Sequence, residues 1–533
     1  MEKTYQVIIL GSGMAGTMLG AILAKHKVRV LIIDKGSHPK FTIGESTIPY
    51  TTQSIAGISE LFDLPELHPT VIGQKLEHSC GIKKSVSFAY HQLGRQQQKG
   101  EITQANLDGA ELHFFRQDLD SYLMHVAIHY GAVVKQNCNI LDIDFNSNGK
   151  DVLMTSEDGE EFSGFYVVDA SGYSSVLAKK FDLREKPTHL KTHTRTLFTH
   201  MLDVQQFEAC VHSQKVHGMP GDFHEGTLHH LFDGGWMWVI PFNNHKNSTN
   251  PLCSVGLQLD SRRFPRTDIP PQQEFFEFIS QYPSIYEQFK YAKPVREWVS
   301  TDRLQYSSEK CVGDRYCLLH HSYGFVDPLF SRGLASTCDC VKYVARLILE
   351  GVKDNDFSER RFQGLNEIYR QLLDLNDQLV YGALISFRDF ELWKAWHGVW
   401  QVVEFVSFFE LAITRLKAKE GDPESFLKIN QVGHIKEANN FLNQAVHEIQ
   451  QVEIGNLSTG AATTNLEKLL SEVDLLPETL KFSLSKRFFQ TKWWLMLQFS
   501  HWLTFKSSPE VKQHYENFKP IKTYQLLQEV AKR

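Results

Sequence analysis

Residues 6–34 read QVIILGSGMAGTMLGAILAKHKVRVLIID, and four pieces separate within them. QVIIL is a short apolar run without alternation, as a parallel strand covered on both faces requires. GSGMAG is a glycine turn, TMLGAILAKH a helix, and VRVLIID a second buried strand. Gly11 permits the tight turn, Gly13 lets the backbone approach a pyrophosphate, and Gly16 lets helix and strand pack closely. The helix start offers N–H groups and positive field to phosphates. Asp34 ends the second strand 18 residues after Gly16, where a carboxylate can hold ribose hydroxyls. Strand, turn, helix, strand and acid arrive in order, so the spacing predicts a dinucleotide site.

Outward from this unit, the polar loop GSHPKFTIGESTIPYTTQ (36–53) supplies Glu45 and Ser46 as cofactor-binding candidates. QDLDSYLMHVAIHY (117–130) has helical periodicity and stops at Gly131, with Arg116 just before it. VVDASG (167–172) returns to a buried strand and a glycine turn, and Asp169 ends that strand. From about 190 to 300 the segments TRTLFTHMLD, TLHHLFD, GWMWVIPF and CSVGLQLD alternate or are rich in β-branched and aromatic residues. Turns at DGG and NNHKNSTN separate them, which predicts an antiparallel sheet. A second αβ-like stretch, YCLLHHS, YGFVDPLFSRG and LASTCDCVKYVARLILEG, carries His321, Asp327, Arg332 and Gly333. Beyond 355 strands nearly vanish and helical text such as NLEKLLSEVDLL repeats. The expected organisation is a cofactor-binding body over 1–360, with the antiparallel sheet inserted on its substrate side. A helical region over 361–533 follows and caps the substrate pocket.

Composition narrows the function. Hydrophobic residues make up 42% and charged residues 22%, an ordinary globular balance. A net charge of -6 gives no electrostatic reason to expect nucleic acid. The eight cysteines form no metal-ligand framework, and Cys338 and Cys340 fall in an apolar helical run as packing residues. None of the 24 histidines sits in an HExxH spacing, so no metal is expected. MEKTYQVIILGSG enters a strand directly, and the apolar cluster WWLMLQF (493–499) is too short to span a bilayer. The expectation is a cytoplasmic protein without a transmembrane segment.

GWMWVIP (235–241) puts Trp236 and Trp238 two residues apart, hence on one face of an extended strand that Ile240-Pro241 closes. GSGMAG, this WxWxIP run and DPLFSRG (327–333) together resemble the flavin-dependent halogenases. The first and third elements are shared with flavoprotein monooxygenases and geranylgeranyl reductases; WxWxIP is the halogenase hallmark. The resemblance covers about residues 5–360. It implies a Rossmann-like FAD-binding fold of the GR2 type: α/β with an added antiparallel sheet and a helical C-terminal region. It also implies reduced FAD from a separate flavin reductase, O₂, and a halide converted to hypohalous acid, which travels through a tunnel to an aromatic substrate. The two indoles and the stiffening proline then serve as a wall between flavin and substrate.

The same resemblance implies a lysine near the tunnel's end. CGIKKSVSFAY offers Lys83 and Lys84, which face opposite ways on a strand, and the family's spacing to a phenylalanine, here Phe88, selects Lys83. An ammonium could hydrogen-bond hypohalous acid, whereas an amine could form a chloramine; the sequence leaves both open. The halide falls at backbone N–H groups of Arg332 and Gly333, at a helix mouth. Phe330 stands where tryptophan-halogenating members have glutamate, which points to an intrinsically nucleophilic substrate, a phenol. That substrate is a free small molecule or a tyrosine-like unit on a carrier protein. His320-His321 replaces the family's Gly-Asp pair, and His321 can donate to or accept from a ribityl hydroxyl. A flavin hydroxylase or reductase is the alternative function.

Overall fold

The computed structural model describes residues 4–145, 151–427, 436–484 and 486–490, with short pieces between 498 and 509. Except for its last two positions, the cluster at 493–499 lies outside the described residues. Tyr5–Leu10 lies at the heart of an eight-stranded sheet. It runs parallel to Val30–Ile33, with Ile8 opposite Leu31, and parallel to Glu161–Asp169, with Ile8 opposite Val167. Val7, Ile8 and Ile9 are wholly buried, which is why that run shows no alternation. The helix Met14–Lys25 follows the turn at once. Gly11 has φ +107°, and a Cβ there would lie 2.6 Å from the Ala170 carbonyl oxygen. A Cβ on Gly16 would stand 2.1 Å from the Gly11 oxygen. Only glycine fits the turn between these two strand ends.

A second sheet has nine strands. Along its path Thr194–Leu202, Cys253–Asp260, Gly235–Pro241 and Gly226–Phe232 pair antiparallel in that order. Here the expectation of a sheet confined to about 190–300 needs correction. Gly81–Tyr90 and Ile102–His113 belong to the same sheet, and Gly226–Phe232 joins Gly81–Tyr90 in parallel. The 81–113 segment hides its pattern because both faces are covered: Val86 and Phe88 pack into one core, Ala89 and Ile102 into the other. Burial on both sides removes the polar alternation by which a half-exposed strand is recognised. A short strand, Phe488–Gln490, adds parallel to Ile102–His113.

After residue 355 the described chain is helical apart from that strand. Its main helices are Gly364–Ser386, Phe390–Lys419, Lys436–Glu453 and Thr459–Glu472. The Asp389 carboxylate caps the longest of them, accepting from Glu391 and Leu392 N–H at 3.0 and 3.1 Å. That helix lies on the second sheet: the Trp393 indole donates to Thr103 Oγ1 at 3.1 Å and its ring sits 5.0 Å from that of Phe88. No helix among the described residues is long and apolar enough to cross a membrane.

Candidate active site

A cavity of about 1310 Å³ is lined from both sheets. Gly11, Gly13, Asp34, Glu45, Ser46 and Arg116 line it, and so do Trp236, Trp238, His321 and Gly333. The sequence strings these residues over more than 300 positions, and the fold gathers them in one space. Gly13 precedes the Met14–Lys25 helix without a side-chain cap, and a Cβ there would meet nothing within 4 Å. The helix start therefore faces open volume, as a phosphate requires. The cavity exceeds the usual span of a small-ligand pocket, roughly 300–1,000 Å³, and suits a long dinucleotide.

Asp34 is held ready. Its carboxylate accepts from Ser12 N–H and Ser12 Oγ at 2.7 Å each and pairs with Lys40. Burial pushes its pKa up, but Lys40 and Ser12 outweigh that and hold it below the usual carboxylate range. Arg116 is buried and committed to the protein. It grips Asp120 through two contacts of 2.9 Å and donates to the Ile43 and Gly44 carbonyls, fixing the loop that presents Glu45 and Ser46. Glu45 in turn meets His200 Nε2 at 2.9 Å.

Five of the sequence candidates lie outside the cavity wall: Gly16, Lys83, Asp169, Asp327 and Arg332. The two aspartates are spent on architecture. Asp169 accepts from Ser171 N–H and Oγ, Ser175 Oγ and Leu177 N–H, and so shapes the 170–176 turn that does line the cavity. Asp327 accepts from Thr194 Oγ1 at 2.7 Å and Leu329 N–H at 3.0 Å, tying the two ends of the site together. Burial raises its pKa to about 6, against the opposing effect of these donors. Both carboxylates support the loops around the cavity.

His321 stands in the wall, and its Nε2 has no partner among the described residues. Burial, with Arg116 nearby, lowers its pKa to about 4, so it is a neutral group. Facing it, Phe330 and Ser331 take left-handed conformations, φ 69° and 56°, before the helix Arg332–Asp354 begins. The Arg332 guanidinium pairs with Glu404 of the long helix. Phe330 stacks on Trp400 at 4.9 Å and 16°, with the Phe88 ring 6.4 Å from Phe330 and 5.8 Å from Trp400.

Trp236 and Trp238 share one face, their rings 5.7 Å apart, and both are buried in the cavity wall. Trp238 donates to Ser254 Oγ at 3.1 Å and lies across from Gly256. A Cβ at Gly256 would come within 2.0 Å of the indole, so glycine there makes the room that the ring occupies.

The adjacent lysines separate cleanly. Lys84 is exposed and pairs with Glu225, whereas Lys83 is 1% exposed. Lys83 Nζ donates to Ser46 Oγ at 2.8 Å and to the Thr47 carbonyl at 2.7 Å, which puts it directly behind the cavity wall. Burial lowers its pKa to about 7, opposed by the carboxylates of Glu111 and Glu404. The sequence reading missed the groups around it: Glu111, His113, Thr227, His229 and Glu404. Thr227 and His229 alternate along TLHHLFD, a signal of a common face, but their placement opposite the tryptophan strand depends on a register that only pairing reveals.

A family model described as an FAD binding domain matches residues 4–273. Monodechloroaminopyrrolnitrin halogenase PrnC of Pseudomonas fluorescens is 41% identical over 96% of this chain and 94% of its own length. Tetracycline 7-halogenase of Kitasatospora aureofaciens is 37% identical over 96% and 95%. Among solved structures, halogenase PltM in complex with phloroglucinol and FAD superposes with a TM-score of 0.87 at 33% identity, covering 91% of this chain and all of that one.

Proposed function

The chain belongs to the flavin-dependent halogenases, and from that premise we propose that it halogenates a free, electron-rich phenol by way of hypohalous acid. Reduced FAD, delivered by a separate flavin reductase, supplies the electrons with which O₂ and chloride or bromide yield that acid. The chain's own residues bind and partition. The Gly11–Gly13 turn and the helix start behind it hold the pyrophosphate, Asp34 the adenosine ribose, and His321 a ribityl hydroxyl. Backbone N–H groups of Arg332 and Gly333 hold the halide. Trp236 and Trp238 keep the arene away from the flavin.

The observation that carries this reading is Lys83: a buried lysine behind the cavity's wall, tethered to a residue of that wall. With two N–H groups donated to Ser46 and Thr47, the ammonium keeps a third for the oxygen of hypohalous acid; an amine would not. Donation there polarises the O–halogen bond. The halogen passes to a ring carbon, and the displaced ring proton leaves with the hydroxyl as water. Phe330 offers no base, so the arene's own hydroxyl must activate the ring. The buried Trp400 indole N–H, which has no partner among the described residues, suits a phenol oxygen. This reading places the arene beside the packed rings of Phe88, Phe330, Trp393 and Trp400, the last two on a helix that follows residue 361. The relatives named for aminopyrrolnitrin and tetracycline, and the neighbour holding phloroglucinol, favour a free aromatic substrate.

The test is mass spectrometry of products from a phenol panel with a flavin reductase, FAD, NADH and chloride or bromide. A halogen isotope doublet that requires both halide and reductase supports the reading. Hydroxylated product without halide, with NAD(P)H oxidised by this chain alone, contradicts it.

A further inference from the structure

A chain of buried hydrogen bonds runs from the end of the tryptophan strand to Lys83, and its direction is fixed. The Pro241 carbonyl can only accept, so His113 Nδ1–H donates to it at 3.0 Å. His113 Nε2 then bears a lone pair and accepts from the Thr227 hydroxyl at 2.9 Å. The Thr227 oxygen accepts from Ser46 Oγ at 3.0 Å, and Ser46 Oγ accepts from Lys83 Nζ at 2.8 Å. Every side chain in the series is buried. Burial and the Lys83 charge push the His113 pKa down to about 3, so it stays neutral and the direction holds.

We propose that His113, Thr227 and Ser46 are positioning residues for Lys83, presenting it with acceptors only and so favouring the ammonium over the amine. This rests on the halogenase reading of Lys83 given above. An acceptor-only neighbour at Nζ is satisfied by N–H and offers nothing to an amine's lone pair. Without the Thr227 hydroxyl, Ser46 loses its acceptor and can turn its own hydrogen toward Nζ, which favours the amine. The other groups that act on Lys83 are Glu111 from Ile102–His113 and Glu404 from Phe390–Lys419, which support the cation. His113 and His229 are neutral; burial and the lysine lower His229 to about 3 as well.

The experiment compares Thr227→Val with Thr227→Ser, following arene halogenation against pH and measuring FAD affinity alongside. In Thr227→Val the alkaline limb should move down by about one pH unit, with activity about tenfold lower above the limb and nearly wild-type below it. Thr227→Ser should restore the wild-type profile. His113→Leu cuts the chain at its anchor and should shift the limb in the same direction, which covers a Thr227→Val protein that fails to fold. A profile that is superimposable, or merely scaled down at every pH, overturns the positioning role. Lys83→Ala in the same assay separates the levels: if it keeps halogenating, the reading of Lys83 falls and the proposal with it. If it is inactive while the Thr227→Val profile is unmoved, the proposal alone falls.

Discussion

Lys83 and Lys84 are chemically identical in the sequence, and burial alone makes one of them a titrating group near neutrality. Desolvation favours the uncharged form, so the Lys83 pKa falls from 10.5 to about 7 while Glu111 and Glu404 pull it back. The ammonium predominates below that value and the amine above it. If hypohalous acid is held by an N–H of the cation, arene halogenation should decline as pH rises through about 7. Flavin oxidation, measured in the same samples, should not decline with it. A halogenation rate that climbs through the same window would identify the amine as the working form.

At the scale of elements, the roles proposed for the Gly235–Pro241 strand and for the turn at 328–331 can be tested apart. Replacing Trp236 or Trp238 by alanine removes a buried ring, at a cost of about 3–5 kcal/mol. In the protein that still folds, hydrogen peroxide release should rise relative to halogenated product, with phenylalanine variants milder. Gly256→Ala should displace the Trp238 indole and uncouple in the same sense. A lower melting temperature with an unchanged ratio of product to peroxide would mean that the tryptophans only pack. At the turn, a Cβ on Gly333 would lie 3.1 Å from His321 Nε2, so Gly333→Pro both crowds the histidine and removes an N–H. Gly333→Ala adds the Cβ and keeps the N–H. Proline is tolerated in a first helical turn, so apparent halide affinity should drop about tenfold or more in the proline variant relative to alanine. Equal affinities would remove the backbone halide site.

The elements also divide what the sequence could reveal from what it could not. Strand, glycine turn, helix and Asp34 are local in the chain, and each piece carries its own periodicity or steric demand. The common face of Trp236 and Trp238 follows from a period of two. Other features depend on partners far away in sequence. The placement of Gly81–Tyr90 beside Gly226–Phe232 is a parallel pairing without a hairpin to announce it. Whether an aspartate faces a ligand or a loop depends on which donors surround it. Asp169 is spent on its near neighbours Ser171, Ser175 and Leu177, a matter of how the turn folds back, and the distant Ser322 hydroxyl joins them at 3.2 Å, which the VVDASG motif does not announce. Lys83 could be chosen over Lys84 only by family spacing; their difference in exposure is the physical basis.

At the scale of the whole molecule, the chain carries a net charge of -6, yet lysines and arginines outnumber carboxylates in the cavity lining: Lys180 and Arg266 pair there with Asp142 and Asp302, and Lys179 and Arg303 add to them. A local excess of positive charge on an acidic protein would attract the diphosphate of a diffusing flavin. Raising ionic strength from about 0.01 to about 0.15 M shortens the Debye length from ~30 to ~8 Å. FAD association should slow several-fold over that range, and Lys179→Glu should slow it at low salt and flatten the dependence. Association rates indifferent to salt would leave that excess without a steering role.

The proposed function separates two events, oxidation of halide beside the flavin and transfer of halogen to the arene beside Lys83, on opposite sides of the wall formed by Trp236 and Trp238. The most direct test is the partition of oxidised halide in Lys83→Ala, with Lys84→Ala as control. Chlorinated phenol is quantified against hypochlorous acid captured by an added thioether, per reduced FAD consumed. The expected result is near-normal halide oxidation with at least ~10²-fold less chlorinated phenol in Lys83→Ala, since a positioned donor is lost, and little change in Lys84→Ala. Chlorinated phenol falling strictly in step with halide oxidation, or surviving in Lys83→Ala, would contradict the account.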